Sequence, residues 1–342
     1  MKNKFRMLGV LLSIFVLTSC IRCSNLIGNK TRVVSVGEPL YFVTYNTQTF
    51  FDAIEDGIEF AEFKGRKTKW TPEMYKTRLL RLREAGELSV QLLGGKKDKM
   101  PDVFVLQEIE STRVIEDFAK LFSPADGYNH VVFFPPKGGG NFSTAIFSRF
   151  PISDFEQFIL RDSRFNAKSL RPLVKAVLEI NVGQHCEYVT LFAAHWKSKL
   201  GDNTEKIRTA QEKQLLQQVN RVLQKNPDMH ILICGDFNQQ TNEFQTLPKK
   251  FTDVWLLDFQ TQKNTAVGGS YFYRGEWEQI DHVFFSDNLH DNKGLEITDF
   301  SPVATRPLLT ASGTPNEFRI TNGGGYSDHL PLCWVLEFCN DK

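Results

Sequence analysis

Three times along this chain, four apolar residues in a row give way at once to a polar group. Val103-Phe104-Val105-Leu106 precedes Gln107-Glu108, Leu191-Phe192-Ala193-Ala194 precedes His195, and Ile231-Leu232-Ile233-Cys234 precedes Gly235-Asp236. An apolar run this short, without alternation, reads as a strand buried on both faces. The polar residue that ends each run then stands at the mouth of a strand, where a rigid scaffold can hold it.

The rest of the chain supplies the layers. Strands are expected near 40–44, 128–134, 143–148, 152–160, 174–180, 188–194, 279–285 and 331–338. Thr71 as N-cap and Pro72 at the first helical position predict a helix over 72–93, and a second helix over 112–121. A longer one over 204–224 carries an apolar stripe of Leu215, Leu216, Val219, Val222 and Leu223, which reads as core packing. Strand runs interleaved with helices predict an α/β fold in which two sheets pack face to face with helices outside. No long Pro/Gly/Ser linker divides it, so one large domain is expected over 38–342.

The N-terminus reads as a targeting segment. Lys2, Lys4 and Arg6 precede an apolar stretch over 7–17 that is too short to span a bilayer. Leu17-Thr18-Ser19-Cys20 resembles a bacterial lipobox, which implies a signal peptide over 1–19, acylation of Cys20 and a tether to residue 37. The expected location is the bacterial cell envelope, lipid-anchored to a membrane, periplasmic or surface-exposed. Cleavage removes three of 41 basic residues and none of 40 acidic ones, 38 − 40, leaving −2. Net charge therefore selects no partner. Locally, Lys64, Arg66, Lys67 and Lys69, then Arg78, Arg81 and Arg83, then Lys96, Lys97 and Lys99 form basic runs. Such runs suit solvated faces, and equally a surface that meets a phosphate backbone.

Six short segments carry the chemistry: Tyr45-Asn46-Thr47, Gln107-Glu108, His195-Trp196-Lys197, Gly235-Asp236-Phe237-Asn238, Ile280-Asp281-His282 and Ser327-Asp328-His329. In this order they resemble the endonuclease/exonuclease/phosphatase superfamily, the deoxyribonuclease I-like metal-dependent phosphodiesterases. The resemblance implies a four-layer α/β sandwich of two mainly antiparallel sheets flanked by helices. It also implies Mg²⁺, with Mn²⁺ or Ca²⁺ as alternatives. Glu108 becomes the principal metal ligand, Asn46 its neighbour, and Asp328 a residue on the metal side. Asp236 would orient or deprotonate water, Asn238 would offer an amide donor, and Asp281 would fix the tautomer of His329. His195 and Arg171 would contact the phosphate. Relatives support that first histidine with a Glu, but Asn141-Phe142-Ser143-Thr144 has no carboxylate, which leaves His195 as a phosphate binder.

Substrate is read from the surroundings. His195-Trp196-Lys197-Ser198-Lys199 resembles a stretch of secreted bacterial nucleases, so Lys197 and Lys199 are expected to bind flanking phosphates. Tyr273, Arg274 and Trp277 are candidates to stack on a base or sugar. A nucleic acid substrate, DNA or RNA, follows; a membrane is the second partner through the anchor, and no protein partner is indicated. The alternatives are a phosphatase or a phospholipid or sphingomyelin phosphodiesterase, and, from another class, a catalytically silent surface binding lipoprotein.

Overall fold

The computed structural model describes residues 32–123, 126–136, 140–165, 170–265 and 267–339; the expected signal peptide and Cys20 lie outside the described residues. One sheet has six strands in the order β14 (Gly294–Pro302), β15 (Leu332–Cys339), β2 (Leu40–Phe50), β3 (Val103–Ile109), β5 (Ser143–Ser148) and β4 (His130–Phe133). A seven-stranded sheet runs β1 (Val33–Val34), β7 (Leu173–Val182), β8 (His185–His195), β9 (His230–Asp236), β13 (Asp281–Phe285) and β10 (Thr252–Asp253), with β6 (Ile152–Phe158) also paired to β7. Most pairs are antiparallel, but β2 with β3, β8 with β9 and β1 with β7 run parallel.

The apolar runs explain the layering. Side chains alternate across a strand, so Val103 and Val105 of β3, Leu191 and Ala193 of β8, and Leu232 and Cys234 of β9 meet between the two sheets around Trp334. Their neighbours Phe104 and Leu106 face the other way, onto Leu79, Leu82 and Ala85 of α1 (Pro72–Leu92) and Phe118 of α2 (Thr112–Ala119). On the far side, Phe192, Ile231 and Ile233 pack on Leu215, Leu216 and Val219 of α3 (Thr204–Lys225). The result is helix, sheet, sheet, helix, the four-layer order expected.

Thr71 caps α1 by accepting the N–H of Met74 at 3.2 Å, with Pro72 next, so this helix begins where its sequence says. Several elements had no expectation, among them β14 and a hairpin. Strand β14 pairs along β15 with a bulge between Ile297 and Asp299, and a small hairpin of β11 (Tyr271–Tyr273) and β12 (Glu276–Glu278) stands apart from both sheets.

Candidate active site

Register brings the polar strand ends together. On the β8–β9–β13 edge, Asp236 lies opposite His195 on one side and Asp281 on the other. Gly235 is a residue of β9 itself, and its part is a close approach: with φ at +135°, an added Cβ would stand 2.0 Å from the carbonyl oxygen of Ala194. Only glycine lets β9 run this close to β8. Asp236 is buried and held at both oxygens, Oδ2 accepting from Asn46 Nδ2 at 2.9 Å and Oδ1 from the N–H of Asn238 at 2.9 Å. Burial, and then the charge of Asp281, pushes its carboxyl up to about 7 against the pull of His329.

The other sheet delivers Asn46 and Glu108. Asn46 uses its amide inside the protein, with Oδ1 accepting from Gln48 N–H at 3.0 Å. Glu108 Oε2 accepts the N–H of Thr49. Gln48, Thr49 and Glu108 have φ of +52°, +49° and +64°, a left-handed backbone that non-glycine residues rarely take. Arg78 explains how it persists. Its guanidinium is buried, donates to the carbonyls of Thr47, Gln48 and Thr49 at 2.6, 2.6 and 2.9 Å, and lies over the rings of Phe50 and Phe318. Arg78 is therefore no part of a phosphate-facing surface, and Arg81 and Arg83 are likewise engaged, with Gly323 and Gly325 carbonyls and with Glu87.

Two histidines complete the centre in opposite states. His329 Nδ1 lies 2.7 Å from Asp281 Oδ2, which also accepts from Ser270 Oγ at 2.6 Å. Burial pulls His329 down, but the charge and hydrogen bond of Asp281, with Asp328 and Asp236, hold it well above the usual histidine range. His195 is held well below that range, first by burial and then by the charges of Arg171 and His329. Its Nε2 faces Asp236 Oδ2 at 3.6 Å and Glu108 Oε1 at 3.7 Å, while Nδ1 has no hydrogen-bond partner among the described residues. Two carboxylates facing Nε2 favour the neutral tautomer that carries its proton there.

The sequence pattern of the Endonuclease/Exonuclease/phosphatase family matches residues 42–337, nearly all of the described chain. The chain belongs to this family. Its superfamily comprises metal-dependent hydrolases that act on phosphodiester bonds. Solved relatives include a truncated TDP2 from Caenorhabditis elegans, at 16% identity, 88% of this chain, 98% of that chain and a TM-score of 0.54. A family protein from Bacteroides thetaiotaomicron is similar at 15% identity, 88% of this chain, 98% of that chain and a TM-score of 0.54. A functionally unknown conserved protein from Enterococcus faecalis shares 14% identity over 87% of this chain and 100% of that chain, at a TM-score of 0.53. At these identities the likeness is one of fold. No curated protein matches the chain.

The family's metal dependence can be set against the donors present. Ligand atoms of Asp236, Asp281 and His329 lie within 4.8 Å of one another, but Asp281 Oδ2 is already bonded to Ser270 and His329, so this trio suits proton handling. Glu108 and Asp328 are the better cation holders. Burial, and beyond it the charge of Glu108, raises Asp328, against the pull of His329. Carboxylates that crowd one another, beside the amide oxygen of Asn46, form an oxygen donor set that fits a hard divalent cation.

Of the residues expected to meet substrate, Arg171 stands near enough to add its charge to burial in lowering His195, and Lys197 is lowered by burial first and then by the charges of Arg171 and Arg208. Lys197 Nζ is turned to Ser198 Oγ and the Leu200 carbonyl. Lys199 is not free for a phosphate: Glu243 and Glu278 flank its Nζ at 3.2 and 3.4 Å. Asn238 gives an amide proton to the Trp196 carbonyl at 3.2 Å and its N–H to Asp236, so it orients the carboxylate from a left-handed φ of +52°. Trp277 packs edge-on to Phe272 against the core beneath the hairpin, which removes it as a stacking platform. Tyr273 is exposed with Arg274 over its ring. Sequence reasoning missed Tyr271, whose ring lies 4.8 Å from that of His329, and Ser270, which donates to Asp281. A Ser just outside a strand, or a Tyr in a short hairpin strand, carries no signal of its own. His282 points away from the centre, its ring nitrogens meeting Asp253 and the Gln239 carbonyl.

Proposed function

We propose that this protein is a Mg²⁺-dependent nuclease of the cell envelope, hydrolysing phosphodiester bonds of DNA or RNA and held to the membrane through an acylated Cys20. The observation that carries the reading is Asp236: one buried carboxylate, near pKa 7, with a neutral His195 on one side and the Asp281–His329 pair on the other. Arg171 and Lys197 draw in the phosphate, and the Nε2–H of neutral His195 donates a hydrogen bond to a phosphate oxygen. Asp236 accepts a proton from the attacking water as its oxygen bonds to phosphorus and the ester P–O bond opposite breaks, the leaving oxygen taking a proton from solvent. His329, kept as an imidazolium by Asp281, stabilises the charge that builds on phosphorus-bound oxygen. Glu108, Asp328 and Asn46 would hold a divalent cation, which would supply neutralisation of phosphate charge and a more acidic bound water.

A lipid-borne phosphodiester is the second reading, because Ile54, Ile58 and Phe60 expose 51%, 36% and 38% of their surface on the loop after β2. One assay separates the two. Purified protein is incubated with plasmid DNA, RNA and sphingomyelin vesicles, with Mg²⁺ or EDTA, beside Glu108→Ala. The nuclease reading requires nucleic acid cleavage that EDTA and Glu108→Ala both abolish. Vesicle hydrolysis with intact DNA and RNA would replace it, and activity that survives EDTA would remove metal-assisted hydrolysis altogether.

A further inference from the structure

The segment 51–63 leaves β2 and lies against the end of β3, where it gathers carboxylates that catalysis does not use. Asp56, Glu59 and Glu110 each offer an oxygen, and these atoms all lie within 4.8 Å of one another. Glu59 and Glu110 are 4% and 1% exposed, while Asp56 faces solvent. Glu110 Oε2 accepts the N–H of Asp52 at 2.6 Å, but its Oε1 is buried and has no hydrogen-bond partner among the described residues. Arg113, a cation beside this loop, is paired with Asp52. A buried carboxylate oxygen without a donor, next to two further carboxylates, lacks what normally offsets its desolvation.

We propose that Asp56, Glu59 and Glu110 bind a calcium ion at a site separate from the catalytic centre. The donors are all carboxylate oxygens, with neither Cys nor His in the group, which selects a hard cation. Oxygens on one Ca²⁺, at bond lengths of about 2.4 Å, can stand no more than about 4.8 Å apart, and the three donors lie inside that limit. The open side at Asp56 admits the waters that complete six to eight ligands, and a loop-borne carboxylate set suits the flexible geometry of Ca²⁺ better than the near-ideal octahedron that Mg²⁺ demands. The ion would tie the loop to β3 two residues beyond Glu108. That would steady the edge on which the catalytic carboxylate is mounted.

The test uses metal-stripped full-length protein and its Glu108→Gln variant, which disables the catalytic cation site, with calcium chloride as the probe. Calorimetry should find one Ca²⁺ site in Glu108→Gln, and saturation at about 100-fold over Kd should raise its Tm by roughly 5 °C. Adding Asp56→Asn, at a solvent-facing position, should weaken Kd at least about 10-fold, and Glu59→Gln should abolish the Tm rise. Circular dichroism of the calcium-free variants shows that each is folded. The proposal is overturned if Glu108→Gln protein takes up no Ca²⁺, or if folded Asp56→Asn binds it as tightly as its parent.

Discussion

Arg78 and Glu108 grip the same residue from opposite sides: the guanidinium donates to the carbonyl of Thr49 at 2.9 Å, and the N–H of Thr49 donates to the Glu108 carboxylate. Arg78→Met would leave three backbone carbonyls without their donor, and stability should fall by about 3 kcal/mol. Arg78→Lys, lacking the planar fork, should recover only part. Urea unfolding measures both, and a midpoint unchanged in Arg78→Met would show that the turn holds without it.

The pH profile follows from two raised groups. Asp236 must be ionised to accept a proton, and since burial and then Asp281 push it up to about 7, kcat/KM should fall as pH drops below that value in limiting metal. Rising Mg²⁺ should move this limb to lower pH. His329 must stay protonated, so the alkaline limb should lie well above 6.5. Asp281→Asn should bring that limb down and reduce kcat by about 10²–10⁴-fold. An alkaline limb that does not move in Asp281→Asn would dissolve the pair.

The same shifts set a sign for stability. A histidine raised in the fold contributes fully below its unfolded pKa and loses that contribution as pH rises through the folded one. Asp236 acts in the same sense, since its raised pKa means that the fold favours the protonated carboxyl, and stability is withdrawn as pH climbs from the ordinary carboxylate range toward about 7. Asp236→Asn should therefore flatten the pH dependence of Tm between about 4 and 7 while removing activity. A steeper dependence in the variant would reverse the assignment.

Lys197 and Lys199 should part company. Lys197→Ala should raise KM for long DNA and make its salt dependence shallower, because a lost phosphate contact releases fewer counterions. Lys199→Ala should change little, since Glu243 and Glu278 already occupy its charge. Equal effects would mean that DNA displaces both acids, and parallel salt curves throughout would point to a small or lipid-borne substrate.

If Cys20 is acylated, native protein should partition with membranes and Cys20→Ser should not. Mass spectrometry of the N-terminal fragment decides it, and an unmodified Cys20 in wholly soluble wild type would remove the anchor.

What the sequence disclosed and what it hid differ in kind. Val103 to Leu106 and Ile231 to Cys234 announce buried strands because every residue is apolar, so Glu108 and Asp236 could be placed at strand mouths before any coordinates. Strand β14 carries Glu296, Thr298 and Asp299, and its pattern is further broken by a bulge, so periodicity does not find it. Arg78 sits in a helix among Arg81 and Arg83 and looks like one more solvated charge. Its burial is made by Phe318 and the Thr47 to Thr49 turn, which lie far away along the chain. The contacts of Trp277 and Lys199 were hidden for a similar reason: whether an aromatic or a lysine is engaged depends on neighbours that only folding supplies.

Gln48, Thr49, Glu108 and Asn238 all hold left-handed backbone around one carboxylate pocket. At such positions glycine is the conformationally easy residue, and for β-branched Thr49 the relief should be largest. Selection of this protein for heat tolerance alone should therefore drift toward glycine at Thr49 and Asn238. The survivors would melt later but turn over more slowly, because the N–H donors to Glu108 and Asp236 would sit on freer backbone and Asn238 would lose its side-chain bond to the Trp196 carbonyl.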